Sequence, residues 1–300
     1  MGDPVAVSRE RQRYAYTGGM LSVACLWLAM QAEPAATSIP STPWASSRVR
    51  QGRIVSIRIP HHEPLRAEFL GQQVPLYENE TGIHCGLVAV PALTPPGVYS
   101  LQVKAAHASP EGRPLFEFQV TVEDAGYLEQ NIVTTRRMRS LQSSEEEIRR
   151  MREFREQTGS KKLWTMPMLR PTPECTNSPF GVKRLWDGKF SGHFHAGLDF
   201  RSPPGRRVVA AADGVVRVAR LFPRQGGTVG LDHGQGVQTT YIHLSKIAAV
   251  EGRLVKRGQV IGYVGSTGFS TGPHLHWSVH VHGVPVDPVE WVRGVRACGS

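Results

Sequence analysis

The stretch STGPHLHWSV, residues 270–279, places two histidines two positions apart directly after a Gly-Pro turn. Because side chains alternate across a β-strand, His274 and His276 are predicted to project from one face, about 6–7 Å apart along the strand. One imidazole could then bind a metal ion while the other reaches a molecule attached to that ion. Two polar residues on a solvated strand face would give the same pattern, so the rest of the chain has to distinguish these interpretations.

The composition indicates a folded protein with more strands than helices. The chain has 300 residues, 40% of them hydrophobic, which suits one large or two ordinary domains with real cores. The 31 glycines and 22 prolines favour short strands and turns. The formal charge of +10 comes from scattered basic residues without a Lys/Arg cluster, so no nucleic-acid partner is expected. The charge indicates either attraction to a polyanionic surface or simply a solvated face.

The N-terminus has the features of a targeting segment. Basic residues Arg9, Arg11 and Arg13 precede the apolar run GGMLSVACLWLAM at 18–30, and small residues follow it. This pattern predicts a signal peptide over residues 1–32, cleaved near Ala32. Thirteen apolar residues fall short of the roughly 20 that span a bilayer, so no stable membrane span is expected after processing. An uncleaved membrane anchor is the alternative, and either way the prediction is an exported protein of the periplasm or cell envelope.

The remaining chain divides into three parts. Residues 46–125 contain short alternating segments such as GVYSLQVKA and FEFQVTVE, which predict an immunoglobulin-like β-sandwich. Residues 126–170 form a connector whose stretch SSEEEIRRMREFREQTG, residues 143–159, predicts a helix. Its apolar stripe, which is expected to rest on a domain, consists of Ile148, Met151 and Phe154. Residues 171–293 return to strands and Gly-rich turns and form a second, β-sheet domain.

The cysteines fit an exported protein without requiring export. Cys175 and Cys298 flank the C-terminal region and could be joined in an oxidising compartment, although the sequence leaves this pairing open. Cys85 is interpreted as a small buried hydrophobe. None of the cysteines lies in a CxxC zinc pattern, so any zinc site must use other ligands.

Three segments of the second domain carry residues that can bind a metal. HFHAGLDF, residues 193–200, supplies His195 and Asp199; YIHLS, residues 241–245, supplies His243; PHLHW supplies His274 and His276. Each motif alone also fits a core histidine or a turn aspartate. Together they predict a catalytic zinc site, in which two histidines and one aspartate leave one position open for water. Such a set keeps a net charge of +1, which helps to polarise the water and a bound carbonyl.

The order of these motifs resembles one known family. The runs FGVKR, HAGLDF, PGRRVVAAADGVV, YIHLS and VKRGQVIGYVGSTGFSTGPHLHW, between residues 180 and 277, resemble the lysostaphin/LytM-type zinc endopeptidases of bacterial peptidoglycan. The resemblance implies a mainly β protein whose C-terminal domain is lysostaphin-type, barrel-sandwich-like, with a zinc groove. It also implies a zinc metalloendopeptidase that hydrolyses peptide cross-links of peptidoglycan. The β-rich region before it loosely resembles accessory domains of some envelope members.

The resemblance also implies roles for individual residues. His195, Asp199 and His276 would bind one zinc ion, and His243 and His274 would assist the water that attacks the scissile carbonyl. Arg184, in FGVKR, could bind a substrate carboxylate or form a structural salt bridge. Four further histidines are not assigned as ligands. His193 is interpreted as a bystander that could lie in the groove or behind a ligand, and His233 as a turn residue packed beside the site. His280 and His282 could line the groove, but a solvated strand end is the preferred interpretation.

Two alternatives to an active peptidase remain. A non-catalytic envelope protein could regulate other cell-wall hydrolases, but such family members usually lack a zinc ligand, and all three are present here. The enzyme could also be latent, with the N-terminal domain or the connector covering the groove. The oligomeric state and the bond that is cut are not predicted.

Overall fold

The structure is a computed structural model that describes residues 42–132, 136, 140–186 and 188–299. The predicted signal peptide, residues 1–32, lies outside the described residues. Within the described ranges the chain is mainly β-structure, as predicted, with strands distributed over five sheets. None of the helices in these ranges combines the length and the apolar character needed to cross a membrane.

Two sheets form the N-terminal part and enclose one core. The first, in spatial order, consists of β1 Trp44–Ala45, β3 Ile54–Pro60, β7 Ile83–Ala89 and β6 Tyr77–Glu78. The second consists of β2 Arg48–Arg50, β9 Phe116–Glu123, β8 Gly97–Ala105, β4 Leu65–Phe69 and β5 Gln72–Pro75. Alternate residues of β3 (Val55, Ile57) and of β8 (Leu101, Val103) point into this core and are almost completely buried. This packing is consistent with a β-sandwich; its immunoglobulin-like character and the bounds 46–125 stay predictions.

The connector contributes one strand and one helix. Strand β10, Glu129–Ile132, pairs in parallel with a strand of the C-terminal part. Helix α1, Glu145–Glu156, begins after Ser144, whose hydroxyl accepts the Glu147 N–H. Acidic residues fill its first turn and Arg155 lies in its last, an arrangement that complements the helix dipole. The helix therefore lies inside the predicted stretch 143–159, with one turn less at its C-terminal end.

The C-terminal part is built around one large sheet. This sheet contains, in spatial order, β11 Thr176–Ser178, β14 Leu198–Phe200, β22 Leu275–Val281, β18 Val237–Leu244, β17 Gly226–Asp232, β16 Gly214–Phe222 and β20 Leu254–Val255, with β23 Val284–Val286 paired to β22. A second sheet consists of β15 Arg207–Val209, β21 Val260–Tyr263 and β19 Lys246–Ile247. A third joins β10 to the hairpin of β12 Lys183–Trp186 and β13 Lys189–Phe194. A short 3₁₀ helix follows at Pro288–Trp291.

Strand β22 separates the core of this part from its polar face. Leu275, Trp277 and Val279 are completely buried and belong to the main apolar cluster. Since side chains alternate, His274 and His276 project from the other face, as the sequence predicts. The same alternation explains why a strand with two histidines is stable, because its opposite face anchors it in the core.

Helix α1 packs on the large sheet through two residues rather than three. Met151 and Phe154 are buried against Val218 and Phe222. Ile148 is 55% exposed, so its predicted place in the stripe is wrong. Residues at spacing 3 drift around a helix of 3.6 residues per turn, and Glu147 takes the buried position in the first turn instead.

The N-terminal sandwich is fixed to the C-terminal part by polar and aromatic contacts. Arg53 pairs with Asp287 at 3.2 Å and with Glu290 at 2.8 Å, and the Gly52 carbonyl accepts the Asp287 N–H. The hydroxyl of Tyr127 donates to the Gln51 carbonyl at 2.6 Å, and its ring packs edge-on against Phe180. These contacts bring the connector to the C-terminal part at the point where β10 begins.

The structure pairs Cys175 with Cys298, whose Cα atoms are 5.0 Å apart. The bond joins the segment before β11 to the C-terminal end, and the chain closes a loop with a sequence separation of 123 residues. Cys85 is a free thiol that is only partly buried, and burial raises its pKa. The interpretation of Cys85 as a small buried hydrophobe is therefore only half correct.

His233 lies in the turn between β17 and β18 and is a core residue. Its side chain is completely buried, its Nδ1–H donates to the Asp213 carbonyl at 2.6 Å, and the Thr239 hydroxyl lies 2.7 Å from Nε2. Burial lowers the pKa of His233 from 6.5 to about 4. The neutral ring therefore joins three segments of the sheet.

We expect Phe154→Ala to lower the free energy of unfolding by about 3–5 kcal/mol, because it opens a cavity under α1. The matched variant Ile148→Ala, on the exposed side of the same helix, should change it by about 0.5 kcal/mol or less. Urea unfolding of both variants measures the difference. Equal effects would contradict the packing of α1 on Val218 and Phe222.

We expect the buried, neutral His233 to make the folded state less stable in acid. Because the pKa of His233 is lower in the folded state, between pH 6.5 and pH 4 this residue binds a proton in the unfolded chain but not in the folded one. The folded state should therefore lose about 3 kcal/mol from this residue as the pH falls through that range. His233→Gln should remove this part of the pH dependence, measured by urea unfolding at several pH values, whereas His62→Gln on an exposed loop should not. An unchanged pH dependence in His233→Gln would refute the assignment.

Candidate metal centre

The register of two neighbouring strands creates the site. Strands β14 and β22 are antiparallel, and Asp199 lies directly opposite His276. Directly opposed residues on one face of a sheet have Cβ atoms about 5 Å apart, so carboxylate and imidazole meet. His195 precedes β14 and reaches the same point from the side. The structure thus brings together the three residues predicted as metal ligands.

Three ligand atoms converge within hydrogen-bond distance of one another. His195 Nε2 lies 2.9 Å from Asp199 Oδ1 and 3.0 Å from His276 Nδ1, and His276 Nδ1 lies 2.8 Å from Asp199 Oδ1. These three residues form a group that could hold a metal ion. Among the described residues, no further histidine, cysteine or acidic residue belongs to this group. Two imidazoles and one carboxylate are a donor set that zinc accepts, and three ligands leave one coordination position open.

The remaining ring nitrogens of both ligand histidines have hydrogen-bond partners. His195 Nδ1 lies 2.7 Å from the Pro179 carbonyl and His276 Nε2 lies 2.9 Å from the Ser278 hydroxyl. A carbonyl can only accept, so Nδ1 of His195 carries the proton and its Nε2 lone pair faces the other ligands. Such outer contacts orient metal-binding imidazoles. The site therefore fits zinc in the hydrogen bonds that orient its histidines as well as in its donor atoms.

Electrostatics keeps the carboxylate charged. Burial of Asp199 would raise its pKa, but the adjacent His195 and His276 lower it well below the usual value. Burial lowers the pKa of His276, against the opposing effect of Asp199. The group therefore combines an ionised carboxylate with a neutral imidazole at neutral pH, which are the protonation states that metal binding needs.

Two further histidines stand beside the group. The ring centroids of His243 and His274 are 4.8 Å apart, and His274 Nε2 lies 3.7 Å from Asp199 Oδ1. His274 Nδ1–H donates to the Gly272 carbonyl and His243 Nδ1–H donates to the Thr267 carbonyl, both at 2.8 Å. Burial and the neighbouring histidines lower the pKa of His243 to about 3. His243 therefore presents a neutral Nε2 that can accept a proton.

His243 reaches the site only because its strand is irregular. In a regular strand it would share the face of Tyr241, which is completely buried in the core. Gly227 pairs with Leu244 and Val229 with Tyr241, so β18 has one residue more than its partner over this interval. His243 has φ of +65°, a conformation that L-residues rarely adopt. This β-bulge turns the ring away from the core and toward His274 and His276.

The ligand group lies in a groove of about 660 Å³. One part of its lining comes from residues that the sequence does not associate with the site: Gln130, Asn131 and Ser143 of the connector, and Arg224, Gln225, Phe269 and Thr271. The connector reaches the groove because β10 pairs with β12, with Gln130 beside Arg184. Parallel pairing of segments 54 residues apart leaves no local signal, so the sequence raises the connector only as a cover of the groove and does not predict which of its residues line it.

Arg184 and His193 line the groove as the sequence analysis suggests. Arg184 donates to Gln130 Oε1 and, at 3.3 Å, to Ser178 Oγ, and it has no carboxylate ion-pair partner within the described residues. The salt-bridge alternative for Arg184 is therefore not observed. Burial lowers the pKa of Arg184, although Asp199 partly opposes this effect.

His280 and His282 do not form a solvated strand end. His280 is only 8% exposed, and burial lowers its pKa to about 3 and that of His282 to about 4. The C-terminal end of α1 and the segment after it cover this end of the sheet, where Gln238, opposite His280, donates to the Phe154 and Gln157 carbonyls. The prediction of a solvated strand end is wrong because the connector covers these two histidines.

Comparisons with known proteins agree with this geometry. Residues 193–288 match the family described as Peptidase family M23. DD-carboxypeptidase/endopeptidase Mpg of Neisseria meningitidis serogroup B is 44% identical over 113 residues, which cover 38% of this chain and 26% of that protein. Peptidoglycan DD-endopeptidase ShyA of Vibrio cholerae is 46% identical over 96 residues, which cover 32% of this chain and 22% of that protein. This chain therefore matches about a quarter of the length of these relatives.

One solved structure is similar over most of the chain. A Pseudomonas aeruginosa structure described as a peptidase M23 is 28% identical, with a TM-score of 0.61, and the match covers 81% of this chain and 94% of that one. The similarity extends beyond the segment that the family description matches. Zinc is the cofactor of this family, and the donor set and its outer contacts fit one zinc ion.

Gly197→Ala should weaken zinc binding at least tenfold. A Cβ at this position would lie 2.4 Å from the Trp277 carbonyl and 2.8 Å from His276 Nε2, so His276 and its Ser278 contact would have to move. Zinc competition with a chelator measures the affinity. Gly272→Ala, where a Cβ has no neighbour within 4 Å, is the control and should retain it. Equal affinities in both variants would contradict the close packing around His276.

Proposed function

From a chain whose residues 193–288 form a peptidase family M23 domain of the LytM/lysostaphin type, we propose a zinc-dependent endopeptidase that hydrolyses peptide cross-links of bacterial peptidoglycan. The observation that carries the proposal is the convergence of His195, Asp199 and His276 beside the rings of His243 and His274 in one open groove. A structural metal site would be closed, whereas this group leaves a position for water. The names of the curated relatives support the substrate class.

We assign the metal ligands to His195, Asp199 and His276. A zinc ion held by these residues would supply a water of lowered pKa and would polarise the scissile carbonyl. His195 and His276 use the nitrogens that face Asp199, while their other nitrogens stay bonded to the Pro179 carbonyl and Ser278. Asp199 stays ionised and compensates part of the ion's charge.

His243 and His274 are proposed to move the proton. In both rings Nδ1–H is held by a backbone carbonyl, so Nε2 is the atom that can accept a proton from the attacking water. The low pKa of His243 keeps that nitrogen neutral before the attack. Once protonated, either ring becomes a donor for the developing oxyanion or for the leaving amine. No glutamate lies in the ligand group, so a histidine serves as the base.

Arg184 is proposed to bind a carboxylate of the peptide substrate. It lines the groove, and its guanidinium is held by Gln130 and Ser178, which leave donors for a bidentate contact. Peptidoglycan stem peptides carry such carboxylates. Their negative charge also fits the formal charge of +10 of the chain.

We propose that the protein is exported to the periplasm or cell envelope, where its proposed substrate lies. The basic and apolar pattern over residues 1–32 supports this proposal. The disulfide between Cys175 and Cys298 supports it independently, because such bonds persist in oxidising compartments.

Digestion of purified peptidoglycan tests the proposal. The protein should release uncross-linked fragments, identified by mass spectrometry, and a chelator should abolish the release. His195→Ala and Asp199→Ala should lose zinc and cleavage together, by at least a thousandfold in rate, because each removes a ligand. His193→Ala, in the same segment but outside the ligand group, should retain its zinc.

Two outcomes would reject the enzyme. Full activity in either ligand variant would show that the group is not catalytic. A zinc-loaded protein that releases no fragments, yet stimulates another cell-wall hydrolase, would favour the non-catalytic regulator instead.

A further inference from the structure

Glu147 is a buried carboxylate outside the family-matched segment. It lies in the first turn of α1, and only 2% of it is exposed. Its neighbours Glu145 and Glu146 also lie in this turn, so the helix dipole does not require a third acid that is buried. Burying a charged group costs free energy unless strong hydrogen bonds compensate, so its contacts explain why it is there.

Both carboxylate oxygens of Glu147 bind one turn of the C-terminal part. Oε2 accepts the Arg224 N–H at 3.1 Å and Oε1 accepts the Gln225 N–H at 3.0 Å. In a capping box the glutamate at this helix position would return to the N-terminal cap of its own helix. Here the Ser144 hydroxyl still accepts the Glu147 N–H, but the carboxylate is directed to the turn between β16 and β17.

This turn holds the backbone of His243. The Gln225 carbonyl accepts the His243 N–H at 3.0 Å, at the bulge where φ is +65°. The Arg224 carbonyl accepts the Phe269 N–H at 2.7 Å, and Phe269 follows the loop of Thr267, whose carbonyl accepts the His243 ring proton. The 223–225 turn therefore binds the His243 backbone directly and also holds the loop that carries the partner of its ring.

A strained conformation needs contacts that hold it in place. If the 223–225 turn moved, β18 could regain regular alternation, and the His243 ring would turn from His274 toward the Tyr241 side of the sheet. Arg224 is also tied to the connector through the Leu141 carbonyl, which accepts its Nη1 at 3.1 Å. The connector thus fixes the turn through a side chain and a backbone group.

We propose that Glu147 is a positioning residue that holds His243 in its catalytic orientation through the Arg224–Gln225 turn. Glu147 touches neither substrate nor metal, and it acts by fixing the bulge. The connector is accordingly required for the geometry of the site. This inference rests on the proposed function for its kinetic part and on the structure alone for its positional part.

Glu147→Gln tests the proposal with two readouts. Glutamine keeps the size of the side chain, but its amide nitrogen opposes one of the two backbone N–H groups. Amide hydrogen exchange followed by NMR should become at least tenfold faster at Arg224, Gln225 and His243. In peptidoglycan cleavage, kcat should fall about tenfold while KM changes less than twofold, and the bound zinc should stay at the wild-type level.

Glu146→Gln is the matched control. It removes the same charge from the same helix turn, but Glu146 is exposed and lies 3.5 Å from Arg220 at the surface. Its exchange rates and kinetics should equal those of the wild type. The amide of Leu101, in the N-terminal core, reports on unfolding and should keep its wild-type exchange rate in both variants.

The possible outcomes distinguish a failure of the positioning role of Glu147 from a failure of the proposed function. Faster exchange at Arg224 and Gln225 with an unchanged His243 amide would overturn the proposal, as would a tenfold faster His243 amide with unchanged kcat. Acceleration at Leu101 as well would show general destabilisation and also overturn it. If the wild type cleaves no peptidoglycan, the proposed function fails, and the exchange rates still decide whether Glu147 positions His243.

Discussion

The pairing of Asp199 with His276 across β14 and β22 is the constraint on which the site depends. A shift of this register by one residue would move every side chain of β22 to the opposite face. Trp277 and its neighbours prevent that shift, because they would lose their place in the core. The main apolar cluster therefore fixes the position of the metal ligands, because Leu198, Phe200, Leu275 and Trp277 alternate with Asp199 and His276 along the two strands.

The polar face of the large sheet receives its other parts from distant segments. Ser178 and Pro179 orient His195, and they follow the segment that the disulfide joins to the C-terminal end. The turns after β16 and before β22 supply the carbonyls around His243 and His274. Since each of these groups belongs to a different strand or loop, the site is complete only in the assembled fold.

Much of this arrangement could be predicted from the sequence because it follows local rules. The HxH pair at the start of β22 obeys strand alternation. The order of the motifs indicated His195, Asp199 and the lysostaphin/LytM-type family by resemblance. Helix α1 carries its own start signals at Ser144 and in the acidic first turn. Even there, the buried face was misassigned at Ile148, because Glu147 takes the inward position for a partner that the sequence does not indicate.

What could not be predicted depends on long-range contacts. Alternation alone would place His243 beside Tyr241 in the core, and only the bulge in β18 directs it to the groove. His280 was expected in solvent because its cover, the segment after α1, is more than 120 residues away in the chain. The same is true of Gln130, which joins the groove through a parallel strand pair.

The pairing of β10 with β12 limits how this protein can diversify. A segment between two folded parts is normally a spacer, free to change in length and composition. Here β10 contributes Gln130 and Asn131 to the lining of the groove, and α1 holds the turn of Arg224 and Gln225, which also line it, so the connector is part of the site. Under the proposed function, replacement of the connector would alter which peptides fit while the metal ligands stay unchanged, and exchange of the N-terminal sandwich alone would have to preserve the junction at Tyr127. The proposed substrate preference and the order of the domains would thus be coupled through one short stretch of chain.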